Sequence, residues 1–245
     1  MEQIKLRALC VRSIDYKDND SLITLASLEK GKIVASVRGS KKQRSKLRFS
    51  ASLFCFGEYI LNVSQNGKYT VVGCDLIDGF YPLREDVERF YEASIIAEIL
   101  EKNLLVLPND KLIYTAIKGL KEIAYEEKDD LTSLIEFCYN ALIISGYTLP
   151  SVECKTCRSL ENLYFDTVSY DFVCKLHKSN KGILVGSKEV EGLRLVANYQ
   201  YEKLSCFPKN VKLNILYLIV TYFELIGEHK YKTLSAYFDI LKKID

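Results

Sequence analysis

The hydrophobic period of this chain changes once, at Tyr81-Pro82-Leu83, and that change limits what the chain can fold into. Before it, apolar side chains tend to recur at every second residue, the spacing of strands with one buried face. After it they recur every three to four residues, the spacing of helices. Pro82 gives the boundary a chemical cause, because proline cannot donate to a strand ladder and suits the first turn of a helix. The reading is a mixed β and α chain: a strand-built domain over residues 1–80, then a helical domain over residues 81–245.

Within the first block, residues 4–14 alternate and read as a strand, and Asp15-Tyr16-Lys17-Asp18-Asn19-Asp20 is turn chemistry. A second strand follows over 21–28. Glu29-Lys30-Gly31-Lys32 is a hairpin signal, with Gly31 free to take positive φ, and a third strand covers 33–37. Residues 53–63 and 69–77 form a last hairpin around Ser64-Gln65-Asn66-Gly67-Lys68. Five short strands in about 80 residues suit an OB-type barrel. An SH3-like barrel fits the count as well, and periodicity does not separate the two.

In the second block, Phe90, Ala93, Ala97, Leu100 and Leu104 share one helical face. Ile113, Ile117, Leu120 and Ala124 share a second, and Leu131, Leu134, Cys138 and Leu142 a third, ending near Gly146. Three antiparallel helices with apolar stripes bury one another without a cofactor. Residues 188–199 read as a short helix and 232–243 as a final amphipathic one. Residues 209–226 are apolar nearly all round, but their apolar stretch, Leu213 to Ile226, is interrupted by Asn214, Thr221 and Glu224 and is shorter than the ~20 residues of a membrane span. They read as a central buried helix.

The stretch Arg38-Gly39-Ser40-Lys41-Lys42-Gln43-Arg44-Ser45-Lys46-Leu47-Arg48 leaves the end of the third strand. It carries six basic side chains and no acidic one, in a chain whose net charge is only +2. Charge this local, on what reads as a flexible loop between barrel strands, suits a polyanion with regularly spaced phosphates. Arg38, Lys41, Lys42, Arg44, Lys46 and Arg48 are the candidate phosphate contacts. Tyr16, Phe54, Phe56 and Tyr59 are candidate stacking residues, but alternating strands must also fill a barrel, which favours core positions for them.

Cys154-Lys155-Thr156-Cys157 and Cys174-Lys175-Leu176-His177 are separated by sixteen residues. Two ligand pairs, each with a two-residue gap, can close a tetrahedron around Zn²⁺ from two tight turns. A closed set leaves no position for water, so a zinc ion at Cys154, Cys157, Cys174 and His177 is expected to be structural. The zinc-binding segment spans about residues 150–180. Cys10, Cys55, Cys74, Cys138 and Cys206 read as small core residues. The N-terminus lacks the apolar run of a signal peptide, so a reducing cytoplasm is expected.

Catalytic patterns are missing. The chain holds no phosphate loop, dinucleotide fingerprint or nucleophile elbow. Of its two histidines, His177 and His229, neither precedes the cysteine pairs as a zinc deaminase requires. Asp18 and Asp20, and the acidic run over 126–130, read as a turn and a helix end. The function class is therefore a binding protein rather than an enzyme.

Several segments together resemble the bacterial RecO family of recombination mediators. They are Ala8-Leu9-Cys10-Val11-Arg12 with Tyr16-Lys17-Asp18-Asn19-Asp20; Gly31 with Val37-Arg38-Gly39-Ser40-Lys41-Lys42 and Ser45; and Tyr222-Phe223-Glu224-Leu225-Ile226-Gly227 with Lys232-Thr233-Leu234. The resemblance spans essentially the whole chain. It departs at His177, where many members have a fourth cysteine, and at Tyr170-Asp171, where paired glycines are common. It implies an OB-fold barrel, a structural zinc, and a non-catalytic factor that binds single- and double-stranded DNA and anneals complementary strands. The implied partners are RecR and single-strand-binding protein (SSB), with RecA loading as the outcome and the nucleoid-containing cytoplasm as the place. Annealing needs two strands held with their charges screened, which a cationic groove and a second basic surface supply. An RNA-binding OB and zinc module, or a non-catalytic interaction scaffold, are the alternatives.

Overall fold

The computed structural model describes residues 2–104, 107–126 and 130–244. The chain divides into two compact units, Met1–Tyr125 and Glu126–Asp245.

The first unit is built on a closed barrel of β1 (Glu2–Tyr16), β2 (Asp20–Ser27), β3 (Gly31–Val37), β4 (Phe56–Val63) and β5 (Tyr69–Asp78). The strand order is β1-β2-β3-β5-β4, closed by β1 against β4. All neighbours are antiparallel except β3 and β5, which run parallel through Ala35↔Tyr69, Ser36↔Thr70 and Val37↔Val71. This closure makes the barrel an OB-fold, and it resolves the choice that periodicity left open. Gly31 and Gly67 take φ of 66° and 70° at the two hairpin turns, as tight turns between twisted strands require.

Alternation fills the barrel: Leu6, Ala8, Ile23, Leu25, Ile33, Ala35, Val37, Leu61 and Val71 all point inward and are buried. Tyr59 is fully buried too, its hydroxyl donating to the Ser50 carbonyl at 2.9 Å. Phe54 is 0% exposed and takes a φ of 67°. The chain at 54–55 continues the sheet beside the middle of β1, through Phe54 N–H to the Cys10 carbonyl and Cys10 N–H to the Cys55 carbonyl, each at 2.8 Å. Two of the four candidate stacking aromatics, Phe54 and Tyr59, are thus core residues.

The helices α1 (Val87–Asn103) and α2 (Asp110–Tyr125) belong to this first unit. The strand pattern stops near residue 80, and the compact unit runs on to Tyr125. Specific ties hold the two helices to the strands. Phe54 meets Phe90 edge-on at 5.6 Å between ring centres, and Arg84 donates to the Gly79 and Leu53 carbonyls. Lys32 Nζ donates to the Glu101 carbonyl at 2.6 Å and pairs with its carboxylate at 3.4 Å. Asp86 caps α1 by accepting from Arg89 N–H at 2.9 Å.

The second unit contains α3 (Asp130–Ile144), α4 (Ser187–Ala197), α5 (Lys209–Gly227) and α6 (Lys232–Ile244). Here α3 packs against α5, and α4 also packs on α5. By length and composition α5 could cross a membrane, yet half of its apolar stretch is buried, with Ile215, Leu216, Ile219 and Phe223 in the core. Between α3 and α4 lies a three-stranded sheet, β6 (Leu163–Asp166), β7 (Asp171–Cys174) and β8 (Gly182–Leu184), in the order β7-β6-β8. This sheet belongs to the segment inserted between the helices, and outside it the second unit is helical.

One position measures how closely β4 and β5 approach. A Cβ at Gly57 would sit 2.7 Å from the Asp75 carbonyl oxygen and 2.9 Å from Cys74 Sγ. Gly57→Ala should lower stability by about 1–3 kcal/mol through forced backbone shifts, read as a lower denaturant midpoint. An unchanged midpoint would mean that the strands separate freely there.

Candidate nucleic-acid interface and metal centre

The basic stretch is the connection between β3 and β4, and its start is held in place. Gly39 N–H donates to Asp20 Oδ1 at 2.8 Å, the hydroxyls of Ser40 and Ser21 lie 2.8 Å apart in a buried contact, and Lys41 N–H donates to the Asn19 carbonyl at 3.1 Å. Successive turns follow, Lys42 N–H to the Gly39 carbonyl and Ser45 N–H to the Lys42 carbonyl. The expected flexible loop is a string of turns anchored on the β1–β2 turn. Asp20 and its neighbours do serve as turn residues. Of the acidic run at 126–130, residues 127–129 lie outside the described residues.

All six cations, Arg38, Lys41, Lys42, Arg44, Lys46 and Arg48, are exposed. Lys41 pairs with Asp15 at 2.7 Å; among the described residues the other five make no ion pair. Arg38 stands at the rim of a groove of about 600 Å³ across β2, β3 and the start of β5. The β1–β2 turn closes one side with Tyr16 and Lys17, and the β4–β5 turn the other with Ser64, Gly67 and Lys68. Arg38 also borders a neighbouring recess of about 530 Å³ with Leu47 and Asn62.

Tyr16 keeps its place as a candidate stacking residue: it lines the groove, is 42% exposed, and carries Lys17 Nζ at 5.3 Å from its ring centre. Phe56 is half-buried and does not line the groove. Sequence reasoning missed Lys17, Lys68 and Tyr69. The signal was present in both turns, but only pairing across the barrel shows that they flank one surface.

The second candidate site is the group Cys154, Cys157, Cys174 and His177, whose ligand atoms all lie within 4.8 Å of one another. Cys157 Sγ is 3.8 Å from Cys174 Sγ, and His177 Nδ1 lies 3.5 Å from Cys154 Sγ and 3.2 Å from Cys174 Sγ. Tetrahedral bonds of about 2.3 Å separate sulfur ligands by about 3.8 Å, so the group has the size and softness to hold a metal ion. All four sequence-nominated residues meet here. Burial pushes the Cys154 thiol up, but hydrogen bonds from the backbone at Cys157, Cys174 and Thr156 outweigh it and hold the thiol at about 6, as a thiolate ligand requires.

Each ligand pair sits on a tight turn. Arg158 N–H donates to the Cys154 carbonyl at 2.8 Å and His177 N–H to the Cys174 carbonyl at 3.0 Å. Tyr170, at the paired-glycine position, takes a φ of 58°, so the β6–β7 turn keeps a left-handed residue without glycine. Of the other cysteines, Cys10, Cys55 and Cys138 are buried, Cys74 is half-buried, and Cys206 is exposed, against expectation. Burial raises the thiols of Cys10 and Cys138, in keeping with inert packing. His229 is exposed beyond α5.

A family model described as "Recombination protein O N terminal" matches residues 1–80. The DNA repair protein RecO of Clostridium novyi is 31% identical over 178 residues, which cover 69% of this chain and 67% of that protein. The chain belongs to the RecO family. The RecO of Acetivibrio thermocellus is 28% identical over 203 residues, covering 81% of this chain and 79% of its own length. That of Caldicellulosiruptor saccharolyticus is 20% identical over 241 residues, covering 97% and 98%.

In this RecO-family chain the metal segment has a second anchor that sequence reading did not single out. Asp166 is 2% exposed, and its carboxylate accepts from Val168, Ser169 and Ser179 N–H at 2.8, 3.3 and 2.6 Å. Burial alone would raise its pKa, but the backbone donors, Ser179 foremost, hold it below the ordinary 3.8. Stability from this group is therefore present above the ordinary carboxylate range and lost as pH falls through the depressed value. Asp166→Ala should cost about 1–3 kcal/mol at neutral pH, and the gap from wild type should narrow in strong acid, as pH falls through the depressed value. Denaturant titrations at both pH values check this, and a gap that does not narrow would refute the ionic role.

Proposed function

We propose that this protein is a non-catalytic mediator of DNA repair and recombination that grips DNA on its barrel, with residues 1–80 as the DNA-binding domain. One observation carries the reading. Arg38, the first of the six exposed cations on the β3–β4 connection, stands at the rim of a groove flanked by the β1–β2 and β4–β5 turns, the surface on which OB-folds take oligonucleotides. Arg38, Lys42, Arg44, Lys46 and Arg48 meet phosphates, Lys41 does so on leaving Asp15, and Tyr16 stacks on a base. The relatives' name, DNA repair protein RecO, supports the same role.

The finer reading follows the family. The protein holds single- and double-stranded DNA, anneals complementary strands, and with RecR helps RecA onto SSB-coated DNA in the cytoplasm, at the nucleoid. Cys154, Cys157, Cys174 and His177 hold a structural zinc ion, which would tie the two ligand turns of the segment at about 150–180 together.

Five unpaired cations on phosphates give a log–log salt slope for single-stranded binding of about −3.5. In the R38A/K42A/R44A variant the slope should flatten by about 2, measured by fluorescence anisotropy across a salt series. An unchanged slope would place the binding surface elsewhere, and equal or tighter binding of RNA of the same sequence would favour an RNA ligand. Annealing of complementary strands coated with SSB tests the mediator role.

Metal removal tests the second site. Chelation should lower the melting temperature of the full chain and open the Cys154 and Cys174 thiols, both buried, to alkylation. A metal-free protein with an unchanged melt and protected thiols would end the structural role.

A further inference from the structure

We infer that the connection from β7 to β8, residues 175–181, is a second contact surface for nucleic acid, distinct from the barrel. The inference rests on the DNA-binding reading above and extends it to the second strand. Its sequence is Lys175-Leu176-His177-Lys178-Ser179-Asn180-Lys181, three cations and no carboxylate. Lys175 and Lys181 are exposed, and neither makes an ion pair among the described residues. Lys178 Nζ lies 5.2 Å from the centre of the Tyr164 ring. The nearby acids on the sheet are already engaged: Asp171 pairs with Lys155 at 2.6 Å, and Asp166 is turned inward on its backbone donors.

The backbone of this connection is fixed before any ligand arrives. His177 and Lys178 N–H both donate to the Cys174 carbonyl, Ser179 N–H donates to Asp166, and the Lys181 carbonyl accepts from the Thr167 hydroxyl at 3.1 Å. A fixed loop loses little conformational entropy on binding, so weak phosphate contacts count for more. At its tip Leu176 is 89% exposed, the most exposed large apolar side chain among the described residues. An apolar side chain standing between cations can press on the apolar faces of bases while the lysines meet the flanking phosphates. A lone phosphate would have no use for it.

The test uses the full-length chain with a benzophenone-bearing residue in place of Leu176, together with the K175A/K181A variant. Under illumination the label should crosslink to a single-stranded oligonucleotide, and should still do so in the R38A/K42A/R44A background. K175A/K181A should keep its first-strand affinity within about twofold while pairing of an added complementary strand slows about tenfold. The salt slope of that pairing should flatten by about 1.4, two contacts' worth. Metal content and melting temperature establish that the variants are folded. No crosslink to DNA, with annealing by K175A/K181A at the wild-type rate, would overturn the inference. So would loss of binding to an acidic peptide with DNA binding and annealing intact, which would make the tip a protein contact. Failure of the barrel reading has a different signature: crosslinking at Leu176 persists while the R38A/K42A/R44A variant binds like wild type.

Discussion

Three residue pairs carry much of the arrangement described above. Ala35, Ser36 and Val37 run parallel to Tyr69, Thr70 and Val71, and that short ladder closes the barrel. Because it ends at Val37, the chain must leave the sheet beside the start of β5, next to the β4–β5 turn. Asp20, at the start of β2, then holds Gly39 by its N–H. The basic side chains therefore emerge next to two turns distant from them in sequence, and all three segments border one groove. An antiparallel meander with the same strands would have left the same lysines and arginines on an unrelated edge.

The barrel does not stand alone in its unit. Arg84 is bonded to the Leu53 and Gly79 carbonyls, Phe90 abuts Phe54, and Lys32 reaches Glu101. Each tie uses a group that the barrel cannot satisfy by itself: carbonyls left outside the ladder, an aromatic edge, and a lysine on β3. These contacts make α1 and α2 part of the same compact body as the strands, and they explain why the change of period and the change of unit fall in different places.

In the second unit the same economy appears on a smaller scale. Four ligand residues from two turns meet within a few ångströms, while a buried carboxylate, Asp166, gathers the backbone of the β6–β7 turn and of the chain just beyond the second ligand pair. A three-stranded sheet this small buries too little surface to define its loops by packing alone. Metal-sized clustering and charge-assisted hydrogen bonds do that instead, and they leave Lys175, Leu176 and Lys181 facing solvent on a fixed backbone.

Much of this was legible in the residues. Alternation at Leu6, Ala8, Ile33, Ala35 and Val37 marked barrel strands, because a strand with one wet face has no other way to hide its apolar side chains. The paired spacing of Cys154, Cys157, Cys174 and His177 announced a group that could hold a metal ion, because two-residue gaps are a local property of tight turns. The short strands β6 to β8 were obscured because three or four residues are too few to show a period. Phe54 and Tyr59 were ambiguous, since an aromatic in a barrel strand has the same sequence signature whether it faces the core or a ligand.

What the amino-acid order decided unaided is thus what depends on near neighbours: the period of each segment, the turn residues, the cluster of positive charge and the ligand pairs. The folded chain alone decided which strand closes the barrel, which turns flank the basic connection, that α3 packs on α5, and that Asp166 serves a stretch beyond its own hairpin. Those outcomes rest on contacts between residues far apart in the chain, set by which surfaces can be buried together at once, and no local pattern carries that information.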